Sequence, residues 1–100
     1  MPRRLKPLES SIQRSVIEYA KKRGCLTKKL SVQGSMGNTG WPDYMIMRAG
    51  RLFFMEFKRP GGKLTPLQEQ IRSLINKELF NYYVVDSTEQ GKNIIDQETI

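Results

Sequence analysis

Two carboxylates and an ammonium stand where two short apolar runs end, and that trio is suited to holding a cation against a phosphate. Asp43 follows Pro42 and opens the run Tyr44-Met45-Ile46-Met47, while Glu56 and Lys58 close the run Leu52-Phe53-Phe54-Met55. Between them, Arg48-Ala49-Gly50-Arg51 holds the Gly expected of a hairpin turn. Side chains alternate along a strand, so Glu56 and Lys58 share one face and Phe57 points to the other. A hairpin closing near Ala49-Gly50 brings Asp43 almost opposite Glu56. Two oxygen donors that close bind a hard divalent cation such as Mg²⁺, and a neighbouring Lys can hold a water or phosphate against it. This is equipment for phosphodiester hydrolysis. Taken alone, a Glu-x-Lys is commonly a solvated strand face, and Asp after Pro is commonly a turn residue. The chain has ten carboxylates, and two of them flank its most hydrophobic hairpin; the combination favours a site.

The elements needed to position these groups can be read along the chain. Pro7 is expected to begin an amphipathic helix with Leu8, Ile12, Val16 and Ala20 on one stripe, ending at Gly24 after the basic Lys21-Lys22-Arg23. Cys25 to Val32 reads as a first strand, with Leu26, Leu30 and Val32 on its buried face. Residues 33–40 contain three glycines and read as a loop leading into the site; loops beside rigid sites commonly carry recognition, and Ser35 is its candidate nucleic-acid contact. The hairpin supplies strands two and three, which Pro60-Gly61-Gly62 terminates. Thr65, Pro66 and Gln68 form a helix start with a capping box, followed by the stripe Leu67, Ile71, Leu74, Ile75 and Leu79. Tyr82-Tyr83-Val84-Val85 is expected as a short strand in the sheet's interior. Ser87 and Gln90 then suggest a weaker capping box on a last short helix, packed through Asn93-Ile94-Ile95.

Gly40-Trp41-Pro42-Asp43, Glu56-Phe57-Lys58, and Gly62-Lys63-Leu64-Thr65 with Gln68 resemble the motifs of the virus-type replication-repair nuclease (VRR-NUC) domain. That family is a branch of the PD-(D/E)xK nuclease superfamily. The resemblance runs from the first helix to the last strand. It implies an α/β, restriction-endonuclease-like core of order α-β-β-β-α-β, with a mixed sheet flanked by helices. It also implies that Asp43, Glu56 and the backbone carbonyl of Phe57 bind Mg²⁺ or Mn²⁺, and that Lys58 orients the attacking water. A first-helix Glu joins the metal site in this family. Glu9, bordering the apolar stripe, matches that place better than Glu18 on the polar side, although an acid in a first turn also suits the helix dipole. Gln68 matches the family's trailing Gln near the site, and its capping role is compatible with that.

Composition agrees with a polyanionic partner. The 100 residues, 38% hydrophobic, are expected to form one domain, 1–100, with a small core. The formal net charge is +7, and basic residues cluster at Arg3-Arg4-Lys6, Lys21-Lys22-Arg23, Lys28-Lys29 and Lys58-Arg59-Lys63. Arg59 and Lys63 read as phosphate contacts. Trp41 reads equally well as a base-stacking residue or a packing anchor. The chain has no His, which excludes His-assisted nucleophilic catalysis and most zinc sites. The single Cys25 reads as a core residue in a reducing compartment. No apolar run approaches the ~18 residues of a membrane span. A cytoplasmic setting is expected, in a bacterial or phage-infected cell.

The expected activity is therefore a metal-dependent endodeoxyribonuclease. Small stand-alone relatives resemble junction-resolving dimers, so branched DNA, as in a Holliday junction or a repair intermediate, is the expected substrate, and a homodimer the expected assembly. Cleavage of flaps, nicks or duplex DNA is the alternative reading. A non-catalytic basic DNA-binding module is a third, and it would be indifferent to Asp43 and Glu56.

Overall fold

The computed structural model describes residues 8–31 and 39–100, so Ser35, Val32, Pro7 and the Arg3-Arg4-Lys6 cluster lie outside the described residues. Seven elements follow in order: α1 (Glu9–Lys22), β1 (Leu26–Lys29), β2 (Tyr44–Arg48), β3 (Arg51–Phe57), α2 (Pro66–Lys77), β4 (Asn81–Val85) and α3 (Thr88–Glu98). The four strands form one mixed sheet in the order β1-β2-β3-β4. The first three pair antiparallel, and β4 runs parallel to β3. A parallel neighbour needs a crossover, and α2 provides it. The mixed sheet flanked by helices is the architecture expected from the sequence, extended by α3.

Alternation along β3 divides the interior in two. Phe53, Met55 and Phe57 face α1 and α3, where they meet Ile12, Val16, Ile17 and Ala20 from α1 and Ile94 and Ile95 from α3. Gly91 allows the two helices to close: a Cβ there would lie 2.4 Å from a methyl of Val16. On the other face, Phe54 packs with Ile75 of α2 and Tyr82 of β4, ringed by half-buried Leu52, Leu64, Ile71 and Val84.

Several expectations need correction. The first strand is four residues long rather than eight, because its phase is set by Cys25. The positive φ of Gly24 (84°) turns the chain and sends the Cys25 side chain into the α1 side of the core. Leu26 then points the other way and is 63% exposed, whereas Leu30, on the same side, is half-buried beside the Phe54 cluster. Leu8 is the N-cap of α1 and exposed, not part of its buried stripe. The stripe of α2 stops early: Glu78 is the C-cap, and Leu79 is left-handed (φ 69°) and 92% exposed. β4 lies at the sheet's edge rather than its interior, because the chain leaves it for α3 and, among the described residues, no further strand pairs with it. α3 is eleven residues long, and its cap is half the expected box. Ser87 accepts from the Gln90 N–H, but the Gln90 side chain accepts from the Asp86 N–H and donates to the Val84 carbonyl.

Candidate active site

The hairpin fixes the acid pair by local geometry. Arg48 pairs with Arg51, leaving Ala49 (φ 50°) and Gly50 (φ 83°) as a two-residue turn with both φ values positive. This is the type I′ geometry, whose twist matches that of the flanking strands. From there the register runs to Tyr44 opposite Met55, so the next pair outward is Asp43 and Glu56. Asp43 is tied at both ends. Its Oδ2 accepts from the Phe57 N–H at 2.8 Å, and its carbonyl oxygen accepts from the Leu30 N–H at 2.7 Å. Tyr44 points to the opposite side, edge-on to Phe57.

Glu56 is 3% exposed. Its Oε2 accepts from Gln68 Nε2 at 3.2 Å and lies 3.6 Å from Lys58 Nζ. Its Oε1 is buried without a hydrogen-bond partner among the described residues. Burial first, and the Asp43 carboxylate second, push the Glu56 carboxyl up to about 8, against the lowering pull of Lys58. Lys58 compensates one side of this buried acid, while Oε1, without a hydrogen-bond partner among the described residues, and the neighbouring Asp43 leave the other side uncompensated.

Gln68 combines two roles. Its Oε1 accepts from the Thr65 N–H at 2.9 Å and its N–H donates to Thr65 Oγ1 at 3.2 Å, the reciprocal capping box. The remaining Nε2 donor reaches Glu56. The start of α2 is thereby anchored to the site.

The other sequence-singled residues fall at graded distances. Partial burial and then the Asp43 charge raise the Glu9 carboxyl above its ordinary range, while Lys58 and Arg59 draw it down. Glu9, at the start of α1, therefore sits within the field of the acid pair. Glu18 lies nine residues further along the helix, roughly 14 Å at ~1.5 Å per residue, in a shallow groove with Ser15, Tyr19 and Lys22. Arg59 and Lys63 are exposed on the segment leading from β3 to α2. The Phe57 side chain is buried on the α1 side; only its backbone faces Asp43. Trp41 leans edge-on against Phe54, with ring centres 6.3 Å apart.

Two further residues shape the site, of which the sequence motif had included one. Tyr82 is buried with an unpartnered hydroxyl among the described residues, and its phenol is raised by burial and then by Glu56 and Asp43. Arg72 lies over its ring at 6.0 Å. Gly40 (φ 80°) is the other. A Cβ there would lie 2.6 Å from Leu67 Cγ and 2.9 Å from the Leu67 carbonyl oxygen, so only glycine lets the Trp41-Pro42-Asp43 segment sit against α2. The three-glycine loop hinted at Gly40, whereas Tyr82 depends on a parallel register that no local pattern encodes.

A solved structure described as a VRR_NUC domain matches with a TM-score of 0.75, covering 88% of this chain and 94% of its own length, at 29% sequence identity. The fold is that of a VRR-NUC domain. No protein-family model and no curated protein matches the chain.

The donors of this VRR-NUC-like site fit a small hard cation. Among the described residues, no three Asp, Glu or Cys side chains gather closely enough to enclose a metal by themselves. Mg²⁺ does not require that, because it is usually held by one or two carboxylates with waters and substrate phosphate completing the shell. Asp43 and the orphaned oxygen of Glu56 meet that requirement, and Lys58 stands beside them as a phosphate-side cation.

Proposed function

We propose that the chain is a metal-dependent nuclease that hydrolyses phosphodiester bonds in DNA, acting on branched structures as a homodimer. The observation that carries the hydrolytic reading is the buried Glu56, orphaned at Oε1 and facing Asp43 across the hairpin, with Lys58 and Gln68 on its other oxygen. A basic DNA-binding module would have no use for a buried Glu56 paired with a half-buried Asp43. The VRR-NUC likeness supports the nuclease class, and the +7 charge supports a polyanionic substrate. The buried, unpaired Cys25 accords with a reducing, cytoplasmic setting. Among the described residues, no helix is long and apolar enough to cross a membrane.

Asp43, Glu56 and the Phe57 carbonyl would hold Mg²⁺ or Mn²⁺, with Glu9 beside them. When bound, the cation would neutralise charge on the scissile phosphate and acidify water. Lys58 orients the attacking water and opposes the negative charge that builds on the phosphorus oxygens in the transition state. Gln68 holds the Glu56 carboxylate in one orientation by its hydrogen bond to Oε2. Arg59 and Lys63 bind flanking phosphates and give affinity without reading sequence.

The test is cleavage of end-labelled four-way junction, flap and linear duplex DNA with Mg²⁺, Mn²⁺ or EDTA, alongside Asp43→Asn. Asn retains an acceptor for the Phe57 N–H, so a loss of activity reports on the charge. Symmetric, metal-dependent cuts confined to the junction are expected. Cutting of flaps or duplex would retain the active site and discard the branched-DNA selectivity. Binding without cleavage under every metal would overturn the enzymatic reading.

A further inference from the structure

The most apolar cavity among the described residues lies beside the acid pair, and the reaction as described makes no use of it. It encloses about 280 Å³ between Trp41, Phe54 and Phe80 on one side and Ile71 and Leu74 on the other, with Glu78 as its one charged residue. Trp41 and Phe80 flank Phe54 as two jaws, each edge-on to it at 6.3 and 6.4 Å. Both jaws are substantially exposed, at 48% and 42%, so core packing does not account for them. Gly40, pressed against Leu67 and Ile71, holds the Trp41 jaw in place.

Three features specify an occupant. The volume sits just below the ~300–1,000 Å³ of pockets for drug-sized ligands, which suits a single flat ring system. The cavity also continues the candidate site. Trp41 precedes Asp43 by two residues, and Phe54 precedes Glu56 by two on the same face of β3. Two residues of strand span about 7 Å, equal to roughly two stacked base steps of ~3.4 Å. Finally, Glu78 caps the C-terminal end of α2, where the helix dipole disfavours an acid, and it forms no ion pair among the described residues. A carboxylate there repels phosphate but accepts a hydrogen bond from the exocyclic amino group of a base.

We propose that the cleft between Trp41 and Phe80 binds an unpaired nucleobase, one or two nucleotides from the phosphate held at Asp43 and Glu56, and prefers bases with an exocyclic amino group through Glu78. The proposal rests on the nuclease reading and deepens it: an unpaired base is exposed in a flap, or where the pairs at a branch point open, and is absent from intact duplex. Stacking on aromatic rings tolerates any base, and the carboxylate adds the preference for adenine, cytosine or guanine over thymine.

Trp41 is the chain's sole tryptophan, so its fluorescence reports on the cleft alone. Full-length protein in EDTA is titrated with duplexes bearing one unpaired adenine, one unpaired thymine, or an abasic residue at that position; anisotropy reports binding in parallel. The expected result is Trp41 quenching by the unpaired base, stronger for adenine, and absent for the abasic duplex although it binds. Phe80→Leu, which keeps apolar volume but removes the ring, is expected to weaken binding of the unpaired-base duplex at least about five-fold and to leave fully paired duplex unchanged. Glu78→Gln is expected to narrow the adenine–thymine difference. Equal Trp41 emission with intact and abasic duplexes, both bound, would overturn the proposal and leave the nuclease reading standing. Failure to bind any DNA would overturn both. A Trp41 signal that tracks protein concentration without DNA, with a dimer in sedimentation, would assign the cleft to a second copy and overturn the base-binding proposal.

Discussion

On the face of the sheet covered by α1 and α3, Ile12, Val16, Phe53, Met55, Phe57 and Ile95 are essentially sealed from solvent. On the face covered by α2, the buried apolar residues among those described are Phe54, Ile75 and Tyr82, and Trp41, Leu67, Leu74 and Phe80 remain open. The same strand, β3, supplies both faces through alternate residues. The first face provides stability. The second is left half-built: Glu56 is buried there, while Lys58 is half-buried and the aromatic cleft stays open. The polar cluster of Glu98 with Asn81, Tyr83 and Arg51 lies near the turn end of β3, far from the acids, and closes α3 onto the sheet.

Substitutions on the two faces should separate activity from stability. The largest effect is expected from Lys58→Ala, which removes the cation beside the reacting phosphate. Cleavage should fall about 10²–10³-fold while the melting temperature barely changes, as single-turnover assays and calorimetry would show. Phe53→Ala, on the sealed face, should do the reverse. It should lower stability by about 3–5 kcal/mol in a denaturant titration, with the cleavage rate per folded molecule unchanged. Gly40→Ala sharpens the contrast at the junction of α2 and the site. Overlap with Leu67 and a disfavoured φ should cost about 1–3 kcal/mol and reduce cleavage as well, because the strain reaches Asp43 through three bonded residues.

The smallest expected effect is on pH dependence. Without a cation, the fold raises the Glu56 carboxyl from 4.5 to about 8. The folded state then holds a proton that the unfolded state has released, so stability contributed by Glu56 is present below the unfolded value and declines as pH rises through that window. A cation at the pair offsets the decline. Saturating Mg²⁺ or Mn²⁺ should therefore raise the melting temperature more at about pH 8 than at about pH 5, and Glu56→Gln should remove the difference. An equal gain at both values would contradict Glu56 as a ligand.

The acid pair was legible in the sequence because its geometry is local: a two-residue turn and strict alternation carry Asp43 to Glu56 without reference to the rest of the fold. Gln68 was legible for the same reason, since a capping box needs only four residues. Contacts set by distant register were not. Tyr82 reaches the site through a parallel pairing whose offset depends on how α2 packs. Leu79 reads as a continuation of the α2 stripe, and its left-handed φ, which ends the stripe, has no local signal. Leu26 was misjudged because alternation fixes which side a residue faces but not whether anything covers it there: Leu30, on the same side, packs beside the Phe54 cluster, while Leu26 at the other end of β1 is left exposed.

The two-residue turn at Ala49-Gly50 also has a consequence for the order of folding. A hairpin closed by so short a turn forms in about 1–10 μs, whereas joining β4 to β3 requires the chain to bring its ends together across all of α2. The acids should therefore face each other before α2 arrives to bury Glu56, and the aromatic cleft should be the last part of the surface to take shape. An early hairpin of this chain would carry its two carboxylates in register but in water, and the raised proton affinity of Glu56 would appear only as α2 docks over it.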